Sequence, residues 1–170
     1  MSGAAFGWRR MCRLSERLLQ ARSATQELED WCLEHGIGDG TVVAVRAAGA
    51  VAEPLDAESV AALGDDRPGE AAFRRVQLAS AGVVLVDALN WYFAGRLTAA
   101  MRAMLETEAP FGRVIAPLRP WRRTFLVRRC TEAEFAAGCP HIFEHRAVVL
   151  AADGAVLAVV HERFRRVLLD

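Results

Sequence analysis

Apolar residues over positions 1–22 recur at helical spacing: Trp8, Met11, Leu14, Leu18 and Leu19 make one stripe, and Arg9, Arg10, Arg13, Arg17 and Arg22 fall around it. The spacing predicts a basic amphipathic N-terminal helix over residues 1–22, packed with a solvated arginine face on a domain formed by residues 23–170. The same face suits peripheral contact with a membrane surface or a partner. A second helix is expected from Ser23 to His35, capped by Thr25 or Ser23, with Leu28, Trp31 and Cys32 on one face and Gly36 ending it. Gly38-Asp39-Gly40 reads as a turn and TVVAVRAAG, residues 41–49, as a strand. The acidic stretch 53–70, broken by proline and glycine, reads as a connecting loop with one helical turn.

The period then changes to two. Residues 73–93 hold two apolar stretches that meet at Ser80-Ala81-Gly82, the pattern of an antiparallel hairpin. In its first strand Arg74, Val76 and Leu78 share one face, while Arg75 and Gln77 share the other. Thr98 is a natural cap for a helix running through Met101, Met104 and Leu105, and Pro110-Phe111-Gly112-Arg113 reads as a tight corner. Strands follow at 121–130 and at 142–169, the latter folded into a hairpin about Asp153-Gly154. Its last strand puts Val156, Ala158, Val160 and Glu162 on one face, with Leu157, Val159, His161 and Arg163 on the other. Hairpins with helices between them, and no β-α-β alternation, predict a single α+β domain on an antiparallel sheet.

Composition narrows the function. The 170 residues are 53% hydrophobic and 25% charged, the profile of a globular domain, and the formal net charge is +0, so no bulk field attracts nucleic acid. Every basic residue is an arginine, which excludes Schiff-base chemistry on a lysine. Cys12, Cys32, Cys130 and Cys139 are widely spaced, form no C-x-x-C pair and follow no secretory leader; they are expected as reduced thiols in a cytoplasmic protein. Cys130, Cys139 and His141 could be counted as three zinc ligands, but they lack a matching second pair, and no metal is expected. No apolar run reaches membrane-spanning length.

Arg74 and Glu162 each continue an apolar strand face, where a lone charge is expensive without a partner or ligand. They are candidates for a site, or for an ion pair with each other, or for solvated strand ends. His141, His145 and His161 carry less weight, and no Ser-His-Asp arrangement, phosphate-cradling glycine loop or H-E-x-x-H motif is present. The strand end Asn90-Trp91-Tyr92 and the Pro110-Phe111-Gly112-Arg113 corner are expected to wall a small-molecule pocket.

Three pieces, Phe73-Arg74-Arg75-Val76-Gln77-Leu78, Ala109-Pro110-Phe111-Gly112-Arg113 and Val159-Val160-His161-Glu162, stand in an order and spacing that resembles the chorismate pyruvate-lyase family from about Thr41 to Leu169. The resemblance implies a lyase without cofactor that eliminates pyruvate from chorismate to leave 4-hydroxybenzoate, the precursor used in ubiquinone biosynthesis, in a closed pocket under helical flaps. It implies that Arg74 holds the substrate carboxylate, with Arg75 as its competitor, that Glu162 bonds the opposite oxygen, and that backbone amides at Phe111 and near Ala88 complete the site. Gly112, Asn90 and Tyr92 are expected beside them. Asn90-Trp91-Tyr92 departs from the family pattern. The same fold also resembles the effector-binding domain of bacterial transcription regulators, which gives a non-catalytic alternative: a sensor or pathway accessory protein for a small aromatic carboxylate. The stretch 1–40 is too short for the winged-helix module of such regulators, so no nucleic-acid partner is expected.

Overall fold

Two hairpins make the centre of the molecule, a computed structural model that describes residues 3–47, 49–64 and 68–170. The first joins β2 (Ala72–Ser80) to β3 (Val83–Tyr92); the second joins β5 (His141–Leu150) to β6 (Val156–Arg165). Strands β3 and β6 pair antiparallel and fuse the hairpins, while β1 (Val43–Arg46) and β4 (Trp121–Arg129) form the edges of a six-stranded sheet ordered β1-β2-β3-β6-β5-β4. Local chemistry sets both turns. Ala81 and Gly82 take positive φ between β2 and β3, and Gly154 does so after Asp153, whose carboxylate accepts the Ala155 amide.

Helices cover both sheet faces. Helix α1 (Gly3–Gln20) and α2 (Ala24–His35) bury Met11, Leu14, Leu18, Leu28 and Trp31 against Val76, Val86, Ala88, Phe143 and Phe164. Next to them, α4 (Ala99–Leu105) and α5 (Phe111–Ile115) pack on Val149, Ala158 and Val160. The reverse face carries Trp91, Val148 and Val159 and is covered by Leu63 of α3 (Ala57–Leu63). The short α6 (Glu132–Ala136) lies between β4 and β5 and starts with a capping box, Thr131 and Glu134. No helix among the described residues is long and apolar enough to cross a membrane.

The structure departs from the sequence pattern in instructive ways. Ser23, not Thr25, caps α2 by accepting the Gln26 amide, and Gly36 ends the helix in the left-handed region at φ 67°. The connector 53–70 holds all of α3, started by Asp56, whose carboxylate accepts the Ser59 amide. Pro110-Phe111-Gly112-Arg113 is not a tight corner: Pro110 stands at the N-cap and the chain continues as α5, because proline fixes φ and the first helical positions need no amide from it. The arginine face of α1 is only partly solvated. Arg17 bridges Glu27 and Glu34 of α2, and Arg10 donates to the carbonyls of Leu169 and Asp170.

Candidate ligand-binding site

Strand alternation carries alternate residues of five strands, β2 to β6, to one face. The register aligns Val76 with Ala88 and Ala88 with Glu162, and Arg74 with Asn90 and Asn90 with Val160. Val149 of β5 and Arg122 of β4 are partners on the same face. Above this floor the α1–α2 link and the start of α5 close a cavity of about 690 Å³, within the roughly 300–1,000 Å³ usual for small-molecule sites. The floor is mainly apolar, through Val76, Leu78, Val149 and Val160, and Phe111 and Ile115 line the α5 side.

Of the residues singled out in the sequence, Ala88, Asn90, Phe111, Gly112 and Glu162 line this cavity. Glu162 does not meet Arg74; it accepts from Arg122 Nη2 at 2.5 Å. Arg74 shares the sheet face but is not part of the lining. It is 2% exposed, and its Nη2 donates to the carbonyls of Thr107 and Ala109, both at 3.2 Å, just ahead of Pro110. Burial, helped by the charge of Arg46, lowers its pKa from the ordinary arginine value. Its Nε and Nη1 are buried without a partner, as is Oδ1 of its cross-strand neighbour Asn90. Arg74 thus holds the loop that launches α5.

The remaining candidates fall elsewhere. Arg75 points to the reverse face and pairs with Glu53, so strand parity removes it from the cavity. Tyr92 packs beside the α4–α5 cluster with its ring 6.1 Å from that of Phe111, outside the lining. Trp91 faces the other way, its ring tilted against Phe73 and edge-on to His161, and its Nε1 donates to the Glu53 carbonyl at 2.6 Å. Phe111 and Gly112 occupy the first two positions of α5, whose amides have no acceptor within the helix.

Among the lining residues that the sequence did not mark are two arginines, Arg122 and Arg119. Arg122 sits in an arginine-rich edge strand, where nothing marks it apart from Arg123, and a bulge between Thr124 and Leu126 interrupts the strand parity. Arg119, at the rim, takes φ 49°, the left-handed conformation that side chains rarely adopt. Beside the cavity, Ser15 of α1 meets His145 Nε2 at 3.0 Å, and burial pushes the His145 pKa down to about 4 against the opposing charge of Glu162.

The candidate zinc residues do not act as a set: Cys130 and Cys139 are neighbours, whereas His141 turns to Asp87. His141 Nε2 contacts Asp87 Oδ2 at 2.7 Å, and Asp87 also accepts two bonds from Arg165, both 2.9 Å. Burial opposes the charge of Asp87, yet hydrogen bonds from Arg165, His141 and Gln77 hold its carboxyl well below the usual carboxylate range. Burial and a hydrogen bond with Cys139 push the Cys130 thiol up to about 12, which leaves it protonated near neutrality. Among the described residues no group of three or more His, Cys, Asp or Glu side chains is arranged to hold a metal ion.

The sequence matches no protein-family model. It is similar to Uncharacterized protein y4mC of Sinorhizobium fredii (strain NBRC 101917 / NGR234), 28% identical over 178 residues that take in 92% of this chain and 74% of that protein. Among solved structures, the effector domain of PhnF from Mycobacterium smegmatis aligns with a TM-score of 0.53 at 15% identity, covering 85% of this chain and 90% of that one. The possible transcriptional regulator YydK from Bacillus subtilis subsp. subtilis str. 168 aligns at 0.50 with 13% identity, over 76% of this chain and 59% of the other, so this chain spans less than two thirds of YydK. At such identities the likeness is one of architecture: this single α+β domain with its six-stranded antiparallel sheet has the fold of the PhnF effector domain.

Proposed function

We propose that this chain is a ligand-binding domain that holds a small carboxylate with an apolar or aromatic body in the cavity between the sheet and helices α1, α2 and α5. The observation that carries this reading is the cavity itself: about 690 Å³, floored by aliphatic side chains, with one charged pair, Arg122 and Glu162, in its wall. The likeness in fold to a domain named for its effector supports binding ahead of turnover. Arg74 serves the pocket indirectly, by fixing the loop before α5.

Elimination of pyruvate from chorismate is the second reading, and it rests on Glu162, a carboxylate that lines the cavity where a proton could be given or taken. One set of measurements separates the two. Trp121 lines the cavity and is half exposed, so its fluorescence should report binding of benzoate or 4-hydroxybenzoate as a saturable change. With chorismate, the binding reading expects neither 4-hydroxybenzoate nor pyruvate to accumulate. Formation of both products in equal amounts would establish the lyase instead, and lack of saturable binding by any apolar carboxylate would remove the site.

A further inference from the structure

Besides Arg22 and Arg119, the wall of this cavity holds one pair of opposite charges, Arg122 and Glu162, that is only partly used. Arg122 Nη2 donates to Glu162 Oε2 at 2.5 Å, and among the described residues neither side chain makes another hydrogen bond. A guanidinium carries five N–H donors and a carboxylate about four acceptor positions. None of the remaining polar atoms of either residue is among those buried without a partner, which belong to Arg10, Arg74 and Asn90. Both residues line the cavity, so this spare capacity is offered to what enters it.

The pair is close to neutral as a unit, and that decides what it prefers. At the pair itself, a plain anion drawn to Arg122 meets Glu162 at nearly the same distance, so there attraction and repulsion largely cancel. A plain cation meets the converse. A head group with an anionic oxygen and an N–H or O–H donor on adjacent atoms gains at both ends, through charge-assisted bonds to Arg122 and to Glu162. The apolar partner for such a head is next along β6. Val160 shares the face of Glu162 two residues away, roughly 7 Å at strand spacing, and Val76 and Leu78 extend the apolar floor beside it.

Resting on the ligand-binding reading above, we infer that the cavity takes an α-amino or α-hydroxy acid with an apolar side chain, its head bridging Arg122 and Glu162 and its side chain lying over Val76, Leu78 and Val160. A monofunctional aromatic acid fills the floor but leaves Glu162 facing its carboxylate.

Calorimetric titration of the full chain with L-phenylalanine, 3-phenyllactate, 3-phenylpropanoate and 2-phenylethylamine tests this, because the four share a phenyl group and differ in the head. Phenylalanine or phenyllactate should bind at least about tenfold more tightly than the two monofunctional compounds. Glu162→Gln, close to isosteric, should erase that preference while 3-phenylpropanoate still binds, and Arg122→Gln should weaken every carboxylate. If a variant fails to show the wild-type circular dichroism and melting curve, the wild-type ranking of the four compounds decides alone. Should 3-phenylpropanoate bind as tightly as the bifunctional acids, the head-group inference is overturned and the binding reading stands. Binding of benzoate with none of the four has the same meaning, and binding of neither set overturns both.

Discussion

Ser15 and His145 meet where α1 crosses the sheet, and one protonation state satisfies both. Ser15 Oγ accepts from Arg129 Nε at 3.2 Å and keeps its own hydrogen free to donate to His145 Nε2, an arrangement suited to the neutral imidazole that burial favours. With the His145 pKa pushed down to about 4 in the folded protein, the unfolded chain takes up its proton first as pH falls, near 6.5. The contribution is therefore whole above about pH 6.5 and is lost progressively between there and about pH 4, amounting to roughly 3 kcal/mol. Buried His161, held at 2.8 Å from Ser59 Oγ, is shifted in the same direction and adds to the slope. Asp87 acts lower, since its depressed pKa costs stability only as pH drops through the carboxylate range. Urea unfolding at pH 7.0 and 4.5 should show the loss, and His145→Phe should flatten it; an unchanged slope in that variant would assign the effect elsewhere. At this scale the sequence was partly transparent. Alternation put Arg74 and Glu162 each on the apolar face of its own strand, and strand pairing brings both to one sheet face, but neither that pairing nor their partners could be read: Arg122 reaches Glu162 from a strand that does not adjoin β6, and Arg74 finds carbonyls of a loop.

Among the elements, α5 has the least support of its own. It is five residues long, has no side-chain cap, and holds its shape because Phe111, Val114 and Ile115 are buried with Leu97, Met101 and Leu105. That explains why a local reading of Pro110 to Arg113 yields a corner and not a helix. The helix is also pressed onto the start of α2: a Cβ on Gly112 would lie 3.0 Å from Thr25 Oγ1. Gly112→Leu should force these two apart, at a cost of about 1–3 kcal/mol, and should lower ligand affinity more than it lowers stability. Paired melting and titration experiments would show it; full affinity in a stable variant would mean that α5 does not shape the cavity. Elements governed by near neighbours were legible by contrast. Ser23 and Thr98 cap helices, and Asp153-Gly154 turns a hairpin, each through bonds within three residues.

For the whole molecule, the antiparallel α+β class followed from the hairpins, whereas the strand order did not, because the β3–β6 seam joins segments far apart in the chain. The same distance effect hid the place of the first helix. Met11 and Leu14 are fully buried in the main core, Trp31 Nε1 donates to the Leu168 carbonyl at 2.9 Å, and Arg10 reaches the last two residues. Helix α1 is thus part of the core, and a chain beginning at Ser23 should lose cooperative unfolding; a sharp two-state melt from that fragment would show otherwise. The edge strand β4 has a consequence at the level of molecules in a crowded solution. Exposed sheet edges invite further strands to add, one copy after another. Two β4 strands aligned head to tail about the Phe125–Leu126 midpoint would set Arg123 of each against Arg128 of the other, like charge facing like charge. In that register the arginines that make this strand hard to read therefore oppose the addition of a second copy.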